Sequence, residues 1–210
     1  MLISNNEVVL FQGDSITDAS RNRENSNDLG KGYALMAAGW FNSLFPEMGV
    51  TFYNRGISGN RVKDLQNRWQ EDCLDLQPTL VSIYIGINNT WRKFDRNDPT
   101  SAGDFEAGLR DLLVQTKSKL DAKLMLIEPF VLPVPEDRKT WREDLDPKIH
   151  IVRDLAREFN AVLVPLDGVF AQAATRADAA SWAPDGVHPS PAGHALIARA
   201  WLQAAGVRNV

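Results

Sequence analysis

"VVLFQGDSIT", residues 8–17, carries four apolar residues and Gln12 into Gly13, Asp14 and Ser15. A short apolar run bounded by turn formers reads as a strand buried on both faces. Ending it on a small hydroxyl raises two readings, an ordinary turn or a nucleophile held at the mouth of a sheet. Which applies depends on what the rest of the chain brings to the same place.

Working outward, further strands are expected at Val50–Asn54, Leu80–Ile87, Leu124–Glu128 and Val162–Leu166. Helices are expected between them at about 33–45, 61–72, 103–120 and 141–159, with a last one at about 191–204. Tyr33, Met36, Ala37, Trp40 and Leu44 share one face at helical spacing, as do Phe105, Leu109, Leu112, Leu113 and Leu120. "HPSPAGHAL" starts the last helix, with Ser190 as N-cap and Pro191 at its first position. Strands alternating with helices predict a three-layer α/β/α sandwich around a five-stranded parallel sheet, with residues 1–210 forming one domain. The long connections 18–32, 89–102 and 129–140 each follow a strand, which puts them at the carboxyl edge where open α/β sheets bind ligands.

The chain has 210 residues and a formal charge of −4. Its Lys and Arg are interleaved with Asp and Glu, as on solvated helix faces, so no nucleic-acid partner is expected. Cys73 is the sole cysteine, so no intrachain disulfide forms, and its neighbours Trp69, Leu74 and Leu76 suggest a buried apolar role. The first residues lack a basic stretch followed by a long apolar run, and no segment approaches the length of a membrane span. A cytoplasmic protein with no membrane partner is expected.

Four stretches meet on the predicted rim: Ser15 after the first strand, "NRGISGNR" (54–61), "GINN" (86–89) and "DGVHPS" (185–190). Serine, histidine, aspartate, asparagine and a permissive glycine together suit acyl transfer. A serine hydroxyl needs a neighbouring base. His150 and His194 fall in predicted helices, whereas His188 lies in a rim loop, so it is the candidate base; Asp185, three residues earlier, can orient it.

In order and spacing, "GDSITD", "GISGN", "GINN" and "DGVH" resemble four sequence blocks of the GDSL, or SGNH, hydrolase superfamily across nearly the whole chain. Within it, "RGISGNRVKDLQNRW" and "SIYIGINNTWR" look most like the intracellular acetylxylan esterases. The resemblance implies a flavodoxin-like SGNH hydrolase fold and a Ser15–His188–Asp185 triad. It also implies an oxyanion hole made by the amides of Ser15 and Gly59 and the side chain of Asn88, with no cofactor and no metal. One position departs from the pattern: the family's third block usually reads Gly-x-Asn-Asp, and here Asn89 stands last. Its amide is expected to substitute for the carboxylate.

The substrate implied is a small acyl ester, acetyl by preference, on xylo-oligosaccharides or related sugars. Trp91, Trp141 and Trp182 fall in or beside rim segments, where an indole could face a sugar ring. Candidate substrate contacts are Asp14, Arg55, Asn60, Trp91, Arg92 and Trp182. Asp14 and Asp18 also read as loop and helix-start hydrogen-bonding groups. A homo-oligomer is possible, with "PFVLPVP" (129–135) either roofing the pocket or forming its interface. Alternatives are a general short-chain carboxylesterase, lysophospholipase or thioesterase of the same fold, and a flavodoxin-like carbohydrate-binding module without chemistry. A magnesium phosphohydrolase built on Asp14 and Asp18 fails on spacing, since strand-end aspartyl-phosphate enzymes place their acids two apart rather than four.

Overall fold

The computed structural model describes residues 1–208. Five strands, β1 (Val8–Gly13), β2 (Thr51–Asn54), β3 (Leu80–Tyr84), β4 (Lys123–Ile127) and β5 (Val162–Val164), pair in parallel in the order β2-β1-β3-β4-β5. Strand alternation splits the core in two. Val9 and Phe11 of β1 and Met125 and Ile127 of β4 face one layer, while Leu10, Leu124 and Leu126 face the other. Helices α1 (Ser15–Asp18) and α2 (Tyr33–Leu44) belong to the first layer. Helices α3 (Val62–Asp72) and α5 (Ala102–Lys119) pack in the second, with α4 (Ile87–Arg96) entering between them in sequence. The second layer is completed by α6 (Arg142–Glu158), and the first by α7 (Leu166–Ala174), α8 (Ala179–Trp182) and α9 (Pro191–Ala204). This is the α/β/α sandwich expected, with the strand order of flavodoxin-like folds.

Two buried indoles are paired across elements. Trp201 Nε1 donates to Ser82 Oγ at 2.9 Å, and Trp69 Nε1 donates to Thr116 Oγ1 at 3.2 Å. Cys73 is a free, fully buried thiol whose pKa burial pushes up to about 12. No helix among the described residues is long and apolar enough to cross a membrane.

The differences from sequence expectation lie on the rim. Strand β3 stops at Tyr84, and part of the anticipated loop 89–102 is helix α4. Ile87, Trp91 and Phe94 recur at helical spacing there, a stripe masked by the surrounding polar residues. Helix α7 carries Leu166, Phe170 and Ala173 at the same spacing and was also unanticipated. In the "PFVLPVP" stretch Phe130, Val131 and Leu132 are buried, whereas Pro133 and Pro135 are exposed. Phe130 stacks on Phe170 at 3.8 Å, and Leu132 N donates to Gly186 O at 2.8 Å, tying this stretch to the loop before His188.

Candidate active site

Strand β1 lies between β2 and β3, so the chain leaves its carboxyl end to one side and later returns to the other. Such a switch point opens a crevice above the sheet. Ser15 sits there as the first residue of α1, where its N–H lies outside the helix's own hydrogen-bond ladder. Gly13 permits the abrupt turn, since a Cβ would stand 2.3 Å from Thr17 Oγ1 and 2.5 Å from Tyr84 O. Asp14 caps α1 by accepting from Ile16 N at 3.0 Å. It is 1% exposed, which corrects its candidacy as a substrate contact: its carboxylate is turned inward as a cap. Burial raises its pKa to about 7, against the opposing effects of the Ile16 hydrogen bond and nearby His188.

The segment Asp185–His188 folds back on its own carboxylate. Asp185 Oδ1 accepts from Val187 N at 3.0 Å and His188 N at 2.7 Å, while Oδ2 meets His188 Nδ1 at 2.7 Å. Gly186 makes the turn at φ +81°, and a Cβ there would stand 2.4 Å from Val134 O. Burial opposes ionisation of Asp185, but the hydrogen bonds from the His188 ring and from the His188 and Val187 amides outweigh it, so its pKa falls well below the usual carboxylate range. The Asp185 hydrogen bond in turn raises the pKa of His188, although partial burial opposes this. With Nδ1–H donated to Asp185, the lone pair of Nε2 faces Ser15 Oγ at 3.0 Å. Ser15, His188 and Asp185 are therefore brought into one proton-transfer chain.

The second rim loop is fixed against the first. Asp18 Oδ2 accepts from Ser58 N at 2.9 Å and pairs with Arg23, and Arg21 Nε donates to Gly56 O at 3.1 Å. These commitments make Asp18 a loop clamp. Gly59 has φ +84°, and no atom lies within 4 Å of where its Cβ would be. Glycine is needed there for the backbone angle, and the space beside it is open. Asn88, in the first turn of α4, donates one Nδ2 hydrogen to Asn60 O at 3.1 Å, which leaves its second hydrogen free. Asn89 accepts from Val62 N at 3.2 Å and donates to Thr100 Oγ1 at 3.2 Å, so it joins α3 to the segment after α4.

The remaining predicted contacts separate. Trp91 stays beside the chemistry: its ring lies 5.6 Å from that of His188 and 5.3 Å from that of Trp141, which is buried. Asn60 directs its side-chain oxygen to Arg68 Nε at 2.8 Å, so that oxygen is already engaged. Arg55 donates to Ser26 O at 2.9 Å and Asn54 O at 3.0 Å, which pins the long 18–32 connection. Arg92 pairs with Asp95 one turn along α4. Trp182 is a correction, because it lines a separate groove between α2 and α9 with Met36, Trp40 and Arg199.

Sequence reasoning passed over two residues. Arg68 of α3 donates to Gln12 Oε1 at 2.9 Å, Gly13 O at 3.3 Å and Asn60 Oδ1 at 2.8 Å, which ties the end of β1 to the loop that holds Asn88. No local motif marks this tie, since Gln12, Gly13 and Asn60 lie 8 to 56 residues away in sequence, and its near partner, Asp72 at 3.0 Å, is an ordinary pair one turn along α3. His194 of α9, expected only as a helix residue, borders the same depression as Ser15 and His188.

Known proteins resemble this chain over nearly its whole length. A model of the GDSL-like Lipase/Acylhydrolase family matches residues 11–196. An acetylxylan esterase of Geobacillus stearothermophilus is 37% identical over 98% of this chain and 97% of its own length. A solved structure of a variant of an acetyl xylan esterase from that organism superposes with a TM-score of 0.93 at 37% identity, covering 100% of this chain and 99% of the other. A GDSL-like chain from Parabacteroides merdae gives a TM-score of 0.95 at 36% identity, covering 99% of each. Other solved structures of the Geobacillus enzyme are described as catalytic mutants in which a serine, a histidine or an aspartate is replaced by alanine.

Proposed function

The chain belongs to the GDSL-like lipase/acylhydrolase family and is a carboxylic ester hydrolase, and on that premise we propose that it removes acetyl groups from xylo-oligosaccharides through Ser15, His188 and Asp185. The observation that carries the residue assignment is the unbroken chain from Ser15 Oγ to His188 Nε2 at 3.0 Å and from His188 Nδ1 to Asp185 at 2.7 Å. The substrate class is supported by the relatives, one of which is described as an acetyl-xylooligosaccharide esterase.

In this mechanism His188 Nε2 takes the Ser15 proton as Oγ attacks the acetyl carbonyl. The carbonyl π electrons move onto oxygen, where the amides of Ser15 and Gly59 and the free Nδ2 hydrogen of Asn88 receive the charge. Asp185 stays ionised and stabilises the imidazolium. Collapse expels the sugar oxygen, which takes the proton from His188 and leaves an acetyl ester on Ser15. Water then attacks that ester as His188 accepts one of its protons, and that proton returns to Ser15 Oγ when acetic acid leaves and ionises in water.

The test is acetate release from acetylated xylo-oligosaccharides by purified protein, set against acetyl, butyryl and octanoyl esters of one alcohol. Acetyl should be preferred, and Ser15→Ala should bring every rate to background with the circular dichroism spectrum unchanged. Retained hydrolysis in Ser15→Ala would overturn the nucleophile assignment, and an octanoyl preference would overturn the substrate class.

A further inference from the structure

Beside Ser15 lies an open depression of about 570 Å³, bordered by Ala19, Ser20, Arg23, Ser58, His188 and His194 among others. Among the described residues around it, Ala19 supplies the only wholly apolar side chain. Such a wall offers hydrogen bonds and little hydrophobic gain, which fits a hydroxyl-rich group better than an acyl tail.

His194 is held there with unusual definition. Helix α2 begins after Gly32, which has no side chain to cap it, and the N–H of Tyr33 donates instead to His194 Nδ1 at 3.2 Å. Gly32 leaves room for the ring, since a Cβ at that position would stand 2.7 Å from His194 Cε1. Because Nδ1 accepts, the neutral ring carries its proton on Nε2. Burial, with the nearby His188, lowers the His194 pKa to about 4, so the ring is neutral at ordinary pH. Nε2 has no hydrogen-bond partner among the described residues, and His194, half-buried, borders the depression beside Ser15. Arg23, by contrast, is paired with Asp18.

We propose that this depression seats the sugar that bears the acetyl group, and that His194 Nε2–H donates a hydrogen bond to a free ring hydroxyl of that sugar. The proposal rests on the esterase reading above and makes His194 a specificity-determining residue. One hydrogen bond of this kind corresponds to roughly a tenfold preference.

The test uses His194→Asn, because asparagine Oδ1 can still accept from Tyr33 N–H while the Nε2 donor is gone. Selectivity (the kcat/KM ratio of acetylated xylo-oligosaccharide to 4-nitrophenyl acetate) should fall by about tenfold, mostly through a higher KM for the sugar substrate. An unchanged ratio overturns the proposal. A second measurement needs no variant: monoacetylated xylosides with the free hydroxyls removed one at a time. In the native enzyme one deoxy position should lose about tenfold, and if none does the proposal fails. Failure of the underlying reading is distinguishable, because it appears as hydrolysis that survives Ser15→Ala.

Discussion

Nδ2 of Asn88 carries two hydrogens, and the carbonyl of Asn60 takes one of them. That bond costs the site nothing chemically and fixes the direction of the other hydrogen. Asn88→Ala should therefore lower kcat by about 10²–10³-fold, the usual loss for one oxyanion donor, with KM for acetyl esters little changed. Steady-state kinetics on 4-nitrophenyl acetate would check this, and a loss confined to KM would make Asn88 a ground-state contact instead. Residue types at Ser15, Asn88, Asp185 and His188 were legible because each stands in a short local motif. Asp14 was rightly read as a helix-start hydrogen-bonding group. Its candidacy as a substrate contact, like that of Trp182, failed because composition does not reveal which way a side chain turns. Asp14 caps its own helix, and Trp182 lines a groove that does not include Ser15. Arg68 and His194 were passed over for a related reason: the partners that tie them to the site are distant in sequence, so no spacing rule finds those contacts.

Helix α4 sets the position of both Asn88 and Trp91, and its anchorage comes from α6. Asp144 of α6 accepts from Thr90 Oγ1 at 2.8 Å and pairs with Lys93 at 3.3 Å, both on α4. It also pairs with Lys148 at 2.5 Å, whose side chain is 1% exposed. Burial lowers the pKa of Lys148, and the Asp144 carboxylate opposes that effect. Removing Asp144 strands an ammonium away from water, so Asp144→Ala should cost about 3–5 kcal/mol. The double variant Asp144→Ala/Lys148→Met should recover most of that loss, since an apolar chain then fills the same space. Urea unfolding would read both as shifts of the midpoint at constant slope. If the double variant were no more stable than the single one, the buried charge would not be the cause. The main helices were legible from apolar stripes, with boundaries near those observed. Helix α4 was hidden because only Ile87, Trp91 and Phe94 carry its stripe, among asparagines and charges suited equally to a loop.

At the scale of the whole molecule, strand–helix alternation predicted the layers, and the β2-β1-β3-β4-β5 order then puts Ser15 at the one point where the sheet's connections diverge. The order itself needed coordinates, because short apolar strands in one parallel sheet carry no label for their neighbours. Placing a carboxylate at that crowded point has a thermodynamic consequence. Asp14 titrates near 3.8 in an unfolded chain and at about 7 in the fold, because burial disfavours its ionised form. Between those values the folded state holds a proton that the unfolded state has lost, so stability falls as pH rises. The contribution is fully present below about pH 3.8 and is gone above about pH 7. At about 1.36 kcal/mol per pH unit, the gap corresponds to roughly 4 kcal/mol. Asp14→Asn keeps an oxygen for the Ile16 amide and cannot ionise. Any cost of burying its amide is the same at every pH, so the difference between native and variant stability isolates the titration. That difference should move in the variant's favour by roughly 4 kcal/mol from pH 4 to pH 8 in paired urea titrations. A difference that stays constant across that range would show that Asp14 is ionised in the fold throughout, stabilised by the adjacent imidazole more than it is penalised by burial.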